Sequence, residues 1–150
     1  MTQRFLIFLT LLSLFAACQT SKKAALEAQN KPLLETRWEV SHINGMPLDA
    51  KTPVQPFIVF DTLGKYHGDF GCNKFFGSYY VKEKKHKLEL TYTGATKRLC
   101  QYMETERLLS KTLRSEKLSY DIQGDTMRLY SNDAEIIRFV ATENKTEPEE

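Results

Sequence analysis

The chain has 150 residues and a formal net charge of +2, with lysines and glutamates interspersed instead of blocked, a balance that leaves no electrostatic footprint for nucleic acid. That length fits one domain of ordinary size with a real hydrophobic core, and no second domain is expected. Nine Phe and seven Tyr suit a β-rich core better than a helical bundle.

In chain order, the first element is an export signal over residues 1–17. Arg4 precedes an apolar stretch from Phe5 to Ala17, which falls short of the roughly 18 to 20 residues a bilayer span requires. Ala16-Ala17-Cys18 resembles the lipobox of bacterial lipoproteins, in which the cysteine becomes the new N-terminus and carries the lipid. The pattern departs at Phe15, where an aliphatic residue is usual, and Leu14 sits one place too early. Ordinary secretory cleavage near Ala17, or an uncleaved anchor with a buried cysteine, are the other readings. The abrupt change to Gln19-Thr20-Ser21-Lys22-Lys23 favours lipid attachment at Cys18. The resemblance implies a membrane partner reached through that lipid, and Gln19 in place of Asp resembles the outer-membrane-bound class facing the periplasm.

Residues 18–33 read as a flexible tether of Ala, Gln, Lys, Asn and Glu. The domain spans residues 34–142, and the acidic tail 143–150, with no apolar residue, is expected to be disordered. Within the domain, period two dominates. Trp38, Val40 and His42 alternate with Glu39 and Ser41 and end at the turn dipeptide Asn44-Gly45. Phe57 to Phe60 is a continuous apolar run that turns through Asp61-Thr62-Leu63-Gly64 into Lys65 to Phe70. Phe75 to Val81 and Leu88 to Tyr92 flank the basic stretch Lys82 to Lys87, a solvated hairpin loop or a patch for an acidic partner. Leu118 to Ile122, Met127 to Tyr130 and Ile136 to Val140 close the chain across turns at Gln123-Gly124-Asp125 and Ser131-Asn132-Asp133. Gln101 to Leu113 alone has helical spacing, with Tyr102, Glu106, Leu109 and Leu113 on one stripe and acidic-to-basic ordering that suits the helix dipole. The fold class expected is mostly β: about eight antiparallel strands in a partly open β-barrel or strongly bent sheet, with one inserted α-helix covering a gap.

Four motifs in register carry a family resemblance. Gly71-Cys72-Asn73-Lys74-Phe75-Phe76-Gly77-Ser78-Tyr79 resembles the GCN-x-x-x-G-x-Y signature of the META domain, the family of the HslJ-like heat-inducible lipoproteins. Leu34-Glu35-Thr36-Arg37-Trp38 is similar to its L-x-x-x-W opening, Thr96 to Cys100 to its T-[KR]-M-A-C segment, and Tyr120 to Tyr130 to its Y-x-I-x-G-x-x-L-x-L-Y close. Arg98-Leu99 stands where the family tends to carry Met-Ala. The resemblance implies an antiparallel β domain with one helix and associations with heat and envelope stress. It implies little chemistry.

With Cys18 assigned to lipid, Cys72 and Cys100 form an even pair in an oxidising compartment, which predicts a disulfide; two buried thiols are the alternative. Neither cysteine belongs to a C-x-x-C, and His42, His67 and His86 lie at no ligand spacing, so neither a metal nor a cofactor is expected. No nucleophile, zinc or phosphate-loop motif occurs. Asp61 and Asp69 could meet across a hairpin, but paired turn carboxylates are mostly solvated capping groups. Gly71, Asn73 and Gly77 suit a tight corner or bulge, because both residue types accept left-handed backbone. The expected role is therefore non-catalytic: an outer-membrane lipoprotein serving envelope integrity or stress resistance as an interaction or chaperone-like module. Its candidate groove is edged by Phe75, Phe76, Tyr79 and Tyr80. A lipid or small-molecule binding barrel would need an enclosed cavity, and a periplasmic enzyme inhibitor would need Lys82 to Lys87 to protrude.

Overall fold

A computed structural model describes residues 30–48, 54–101, 103–114 and 118–142. Cys18, the expected export signal, most of the expected tether and the expected disordered tail lie outside the described residues. Among the described residues, nine strands form one antiparallel sheet: β1 (Arg37–Ile43), β2 (Met46–Pro47), β3 (Phe57–Phe60), β4 (Lys65–Asp69), β5 (Lys74–Lys82), β6 (Lys87–Ala95), β7 (Leu118–Gln123), β8 (Thr126–Ser131) and β9 (Ala134–Thr142). Each strand from β3 onward pairs with the next, and β9 returns to β1, so the sheet closes on itself with β2 as a short flap. This is the barrel expected of the period-two pattern.

Closure is uneven. The β5–β6 ladder runs from Phe75↔Ala95 to Lys82↔Lys87, whereas β6 meets β7 only at Lys87↔Ser119 and Leu88↔Leu118. Past Leu88 the free edge of β6 needs cover, and helix α1 (Met103–Leu113), inserted between these two strands, packs beside it. Leu109 and Leu113, one helical turn apart, are buried in the same core as Tyr66, Phe75, Leu88 and Leu118. Glu104 and Glu106 begin the helix and Lys111 lies in its last turn, as the helix dipole favours. Tyr102 lies outside the described residues.

The turns follow from local chemistry. Asn44 (φ +50) and Gly45 (φ +78) join Ile43 to its partner Met46, and Asn132 (φ +49) and Asp133 (φ +63) do the same between Ser131 and Ala134. Two consecutive positive φ values are what a type I′ hairpin needs. Between β3 and β4, Asp61 accepts the N–H groups of Leu63 (2.8 Å) and Lys65 (2.7 Å).

Two boundaries differ from the sequence reading. His42 was expected on the core face with Trp38 and Val40, but a register shift between Val40 and His42 moves the inward position to Ile43, which is buried. One extra residue in a strand reverses its alternation. Residues before the expected domain start at Leu34 also bond to the domain: the N–H of Lys31 bonds the carbonyl of Gly124 (2.8 Å), the carbonyl of Leu33 accepts the Trp38 indole N–H (3.1 Å), and Leu33 and Leu34 pack on the core. Burying a tryptophan requires a partner for its N–H, and the chain before Leu34 supplies it.

Candidate functional site

Between β4 and β5 the chain turns through Phe70 to Asn73, and this corner is built around Asn73, 4% exposed. Its side-chain oxygen accepts the Arg98 N–H (2.7 Å) and the Thr96 hydroxyl (2.8 Å). Its amide nitrogen donates to the Arg98 carbonyl (3.1 Å) and to the Glu106 carboxylate (3.0 Å). Glu106 also accepts the Asn73 main-chain N–H (2.9 Å). Cys72 is bonded to Cys100, 28 residues on, and the Arg98 guanidinium donates to the Cys72 carbonyl (2.6 Å). Corner, 96–101 segment and helix α1 are thus one unit. Gly71 has the left-handed backbone expected of it (φ +100), but Asn73 does not; its role is hydrogen bonding by a buried amide, which demands saturation of every donor and acceptor.

Asp61 and Asp69, which could have met across the hairpin, lie at opposite ends of β4. Asp61 caps the β3–β4 turn, while Asp69, 2% exposed, lies at the other end of β4 and accepts the Gly71 N–H (2.7 Å). Asp69 is a buried corner acceptor, not a solvated cap, because the corner has an inward N–H to satisfy. Among the described residues, no three His, Cys, Asp or Glu side chains converge as metal ligands would.

A hollow of about 140 Å³ opens where α1 leaves the inner face of β4 to β6, lined by Tyr66, Phe70, Phe75, Leu90, Leu113 and Tyr92, with Ser110 and Arg114 on the helix side. Phe70 stacks on Phe75 with ring centres 3.6 Å apart, and the Arg114 guanidinium lies 5.6 Å from the centre of the Tyr92 ring. Burial, reinforced by the nearby Tyr92, pushes the Tyr66 phenol above its usual range, so it is neutral at physiological pH.

The candidate groove of Phe75, Phe76, Tyr79 and Tyr80 is divided by the pleat. Phe75 is buried and reaches the hollow, and Tyr79, on the same face, is half-buried with its hydroxyl donating to the Asp61 carbonyl. Phe76 and Tyr80 face outward at 52% and 59% exposure. Residues two apart share a face and neighbours do not, so these four cannot edge one groove.

A family model for the META domain matches residues 31–144. The chain belongs to the META domain family. Three solved structures resemble this META domain in fold. They are a DUF4847 family protein from Bacteroides vulgatus (15% identity, TM-score 0.57, 75% of this chain and 96% of that one), a protein from Burkholderia xenovorans (18%, 0.54, 75% and 85%), and a further protein solved by NMR (20%, 0.52, 70% and 88%). No curated protein sequence matches the chain.

In this META domain the GCN corner is a structural clamp, and the Arg98-Leu99 departure leaves it whole. Leu99 is 97% exposed and so repacks nothing, while Arg98 joins the clamp through its backbone and guanidinium. Glu106 was the legible clue missed in the sequence: a carboxylate on the same stripe as Leu109 and Leu113 needs a buried donor to justify it. Leu90, Tyr92, Ser110 and Arg114 gave no such sign, since the hollow exists only where two distant segments meet.

Proposed function

We propose that this META domain is exported, lipid-anchored at Cys18, and acts without catalysis as an interaction module of the cell envelope, seating an apolar side chain of a partner in the hollow between α1 and β4 to β6. The observation that carries this reading is the size and lining of the hollow. About 140 Å³ bounded by aromatic and aliphatic side chains matches one ring-sized group, comparable to an engineered cavity that takes benzene. The barrel interior offers no room for an acyl chain, being filled by Trp38, Phe60, Met127, Leu129, Ile137 and Phe139, all at 0–1% exposure. The disulfide is in keeping with an oxidising compartment. The inhibitor reading gains no support, because Lys82 pairs directly with Lys87 and the connection between them is a short 3-10 turn (Glu83–Lys85), too tight to project into a cleft.

A photo-crosslinking residue replacing Tyr92 in cells is expected to give a discrete adduct that disappears when Ser110→Phe fills the hollow. An adduct pattern unchanged by Ser110→Phe in a folded protein would overturn the reading. A role in envelope integrity or stress resistance then follows if deletion of the gene raises sensitivity to detergent or heat and the Ser110→Phe variant fails to restore it.

A further inference from the structure

The barrel has two ends of different character. The β4–β5 corner, the β1–β2 turn and the β8–β9 turn lie at one. At the other lie the β3–β4, β5–β6 and β7–β8 connections, together with the first residues of the folded unit: the Lys31 N–H bonds the Gly124 carbonyl in the β7–β8 turn, and the Glu35 N–H bonds the Phe60 carbonyl at the end of β3. The chain running from Cys18 therefore joins the domain at this second end.

That end presents a cationic and apolar surface. Lys82 and Lys87 are opposite partners in the β5–β6 ladder, Lys84 and Lys85 lie in the turn between them, and all four are exposed. Glu83 is the single carboxylate within the stretch, in a chain whose formal net charge is only +2. Tyr80 is 59% exposed beside Lys82, whose ammonium is 5.6 Å from the ring centre. On the adjoining β3–β4 turn, tied to β5 by the Tyr79 N–H on the Gly64 carbonyl (2.9 Å), Leu63 is 83% exposed. Of the carboxylates at this end, Glu89 pairs with Lys82 (3.0 Å), Asp125 accepts the Thr126 hydroxyl, and Asp61 and Glu35 accept main-chain N–H groups, Asp61 those of Leu63 and Lys65 and Glu35 that of Thr62, which leaves Lys84, Lys85 and Lys87 as the cations of the turn outside that ion pair.

Lysines beside an exposed aliphatic tip and a tyrosine are the side-chain set that a membrane interface favours: charge for phosphate headgroups, an amphipathic ring and a small apolar wedge for the boundary. We propose that this end of the domain docks on an anionic phospholipid surface, with Lys84, Lys85 and Lys87 on the headgroup phosphates and Leu63 and Tyr80 at the interface. Residues 19–30 separate Cys18 from Lys31, and at up to about 3.5 Å per residue they reach on the order of 40 Å, so a lipid at Cys18 and the docked lysine end are compatible. Docking turns the GCN corner away from the membrane. The proposal rests on the lipid-anchor reading for the membrane concerned, and its test is arranged so that the two fail separately.

The test is sedimentation of the exported chain carrying Cys18→Ser, which has no acyl chain, with phosphatidylcholine vesicles with or without phosphatidylglycerol. Binding is expected only to the anionic vesicles, to weaken with salt, and to fall about fivefold for each lysine charge removed by Lys84→Gln and Lys85→Gln. Leu63→Asp is expected to weaken it too, whereas Lys97→Gln, in the segment beside the corner, should leave it unchanged. Equal binding to both vesicles, or undiminished binding by the folded Lys84→Gln/Lys85→Gln variant, overturns the proposal. So does binding that appears only after residues 143–150 are deleted, because the lysines would then serve the chain's own acidic tail. Acylation is read apart from this, from the mass of wild-type protein extracted from membranes. An unmodified Cys18 would remove the anchor and leave the vesicle result standing.

Discussion

The carboxylate of Glu106 on α1 accepts both the main-chain N–H (2.9 Å) and the side-chain amide (3.0 Å) of Asn73, so one buried residue of the corner fixes the helix that covers the free edge of β6. Hydrogen bonds to an ionised acceptor in a site of low exposure are worth about 1.5–3 kcal/mol each, and an orphaned buried donor costs about as much. Asn73→Ala strands the Arg98 N–H and the Thr96 hydroxyl as well, and is expected to destabilise the fold by about 3 kcal/mol. Glu106→Gln should cost less, about 1–2 kcal/mol, since one carbonyl oxygen remains as acceptor. Urea midpoints at constant slope measure both; an Asn73→Ala midpoint equal to wild type would remove the clamp from the account.

Tyr66 and Gly77 are cross-strand partners, as are Phe75 and Gly68, so each ring lies over a glycine of the neighbouring strand. A Cβ on Gly77 would stand 2.2 Å from the Thr91 carbonyl oxygen and 2.6 Å from the Tyr66 ring. Gly77→Ala is therefore expected to cost upward of 2 kcal/mol or to prevent folding. Gly45→Ala meets nothing within 4 Å, and its penalty comes only from positive φ, about 1–2 kcal/mol. Thermal unfolding of the pair distinguishes them; a Gly77→Ala protein as stable as Gly45→Ala would contradict the close packing.

Reduction of Cys72–Cys100 releases a loop closed over 28 residues, a constraint worth about 3.5 kcal/mol in the chain-entropy model. A drop of that order in unfolding free energy is expected in reductant or in the Cys72→Ala/Cys100→Ala double variant. Because Asn73 and Glu106 still hold α1, the reduced protein should keep its far-ultraviolet circular dichroism at low temperature. Loss of the β signal on reduction alone would show that the clamp cannot act without the disulfide.

Tyr66 and Tyr120 titrate above their usual value of 10.0, chiefly because burial disfavours the phenolate, and Tyr79 shifts the same way, by burial and then by Asp61 and Glu35. A phenol whose pKa is higher folded than unfolded stabilises the fold fully below the unfolded value. That contribution is lost as pH rises through the folded one. The melting temperature is therefore expected to fall above about pH 10, and less steeply in Tyr66→Phe. An ultraviolet titration showing all tyrosines ionising together at the free-phenol value would contradict this.

How much of this was legible can be judged from particular residues. Asn44-Gly45 and Asn132-Asp133 place their turns wherever the strands go, because φ > 0 is a property of those residues. The period-two runs mark the strands, and Leu109 with Leu113 the helix, because burial of one face leaves its spacing in the chain. The pairing of Cys72 with Cys100 was readable from cysteine number once Cys18 was set aside for lipid and export was expected. What only the tertiary structure decided is which face each aromatic serves and what lies opposite. Phe75 and Phe76 are equivalent as letters, yet the pleat sends one to the hollow and the other to solvent. The bulge after Val40 exchanged His42 for Ile43, and the Asn73–Glu106 clamp joins residues whose meeting depends on the closure of the whole sheet. Local rules act over a few residues and are written in them, whereas register, closure and the hollow depend on contacts between segments far apart in the chain, which no short stretch of sequence encodes by itself.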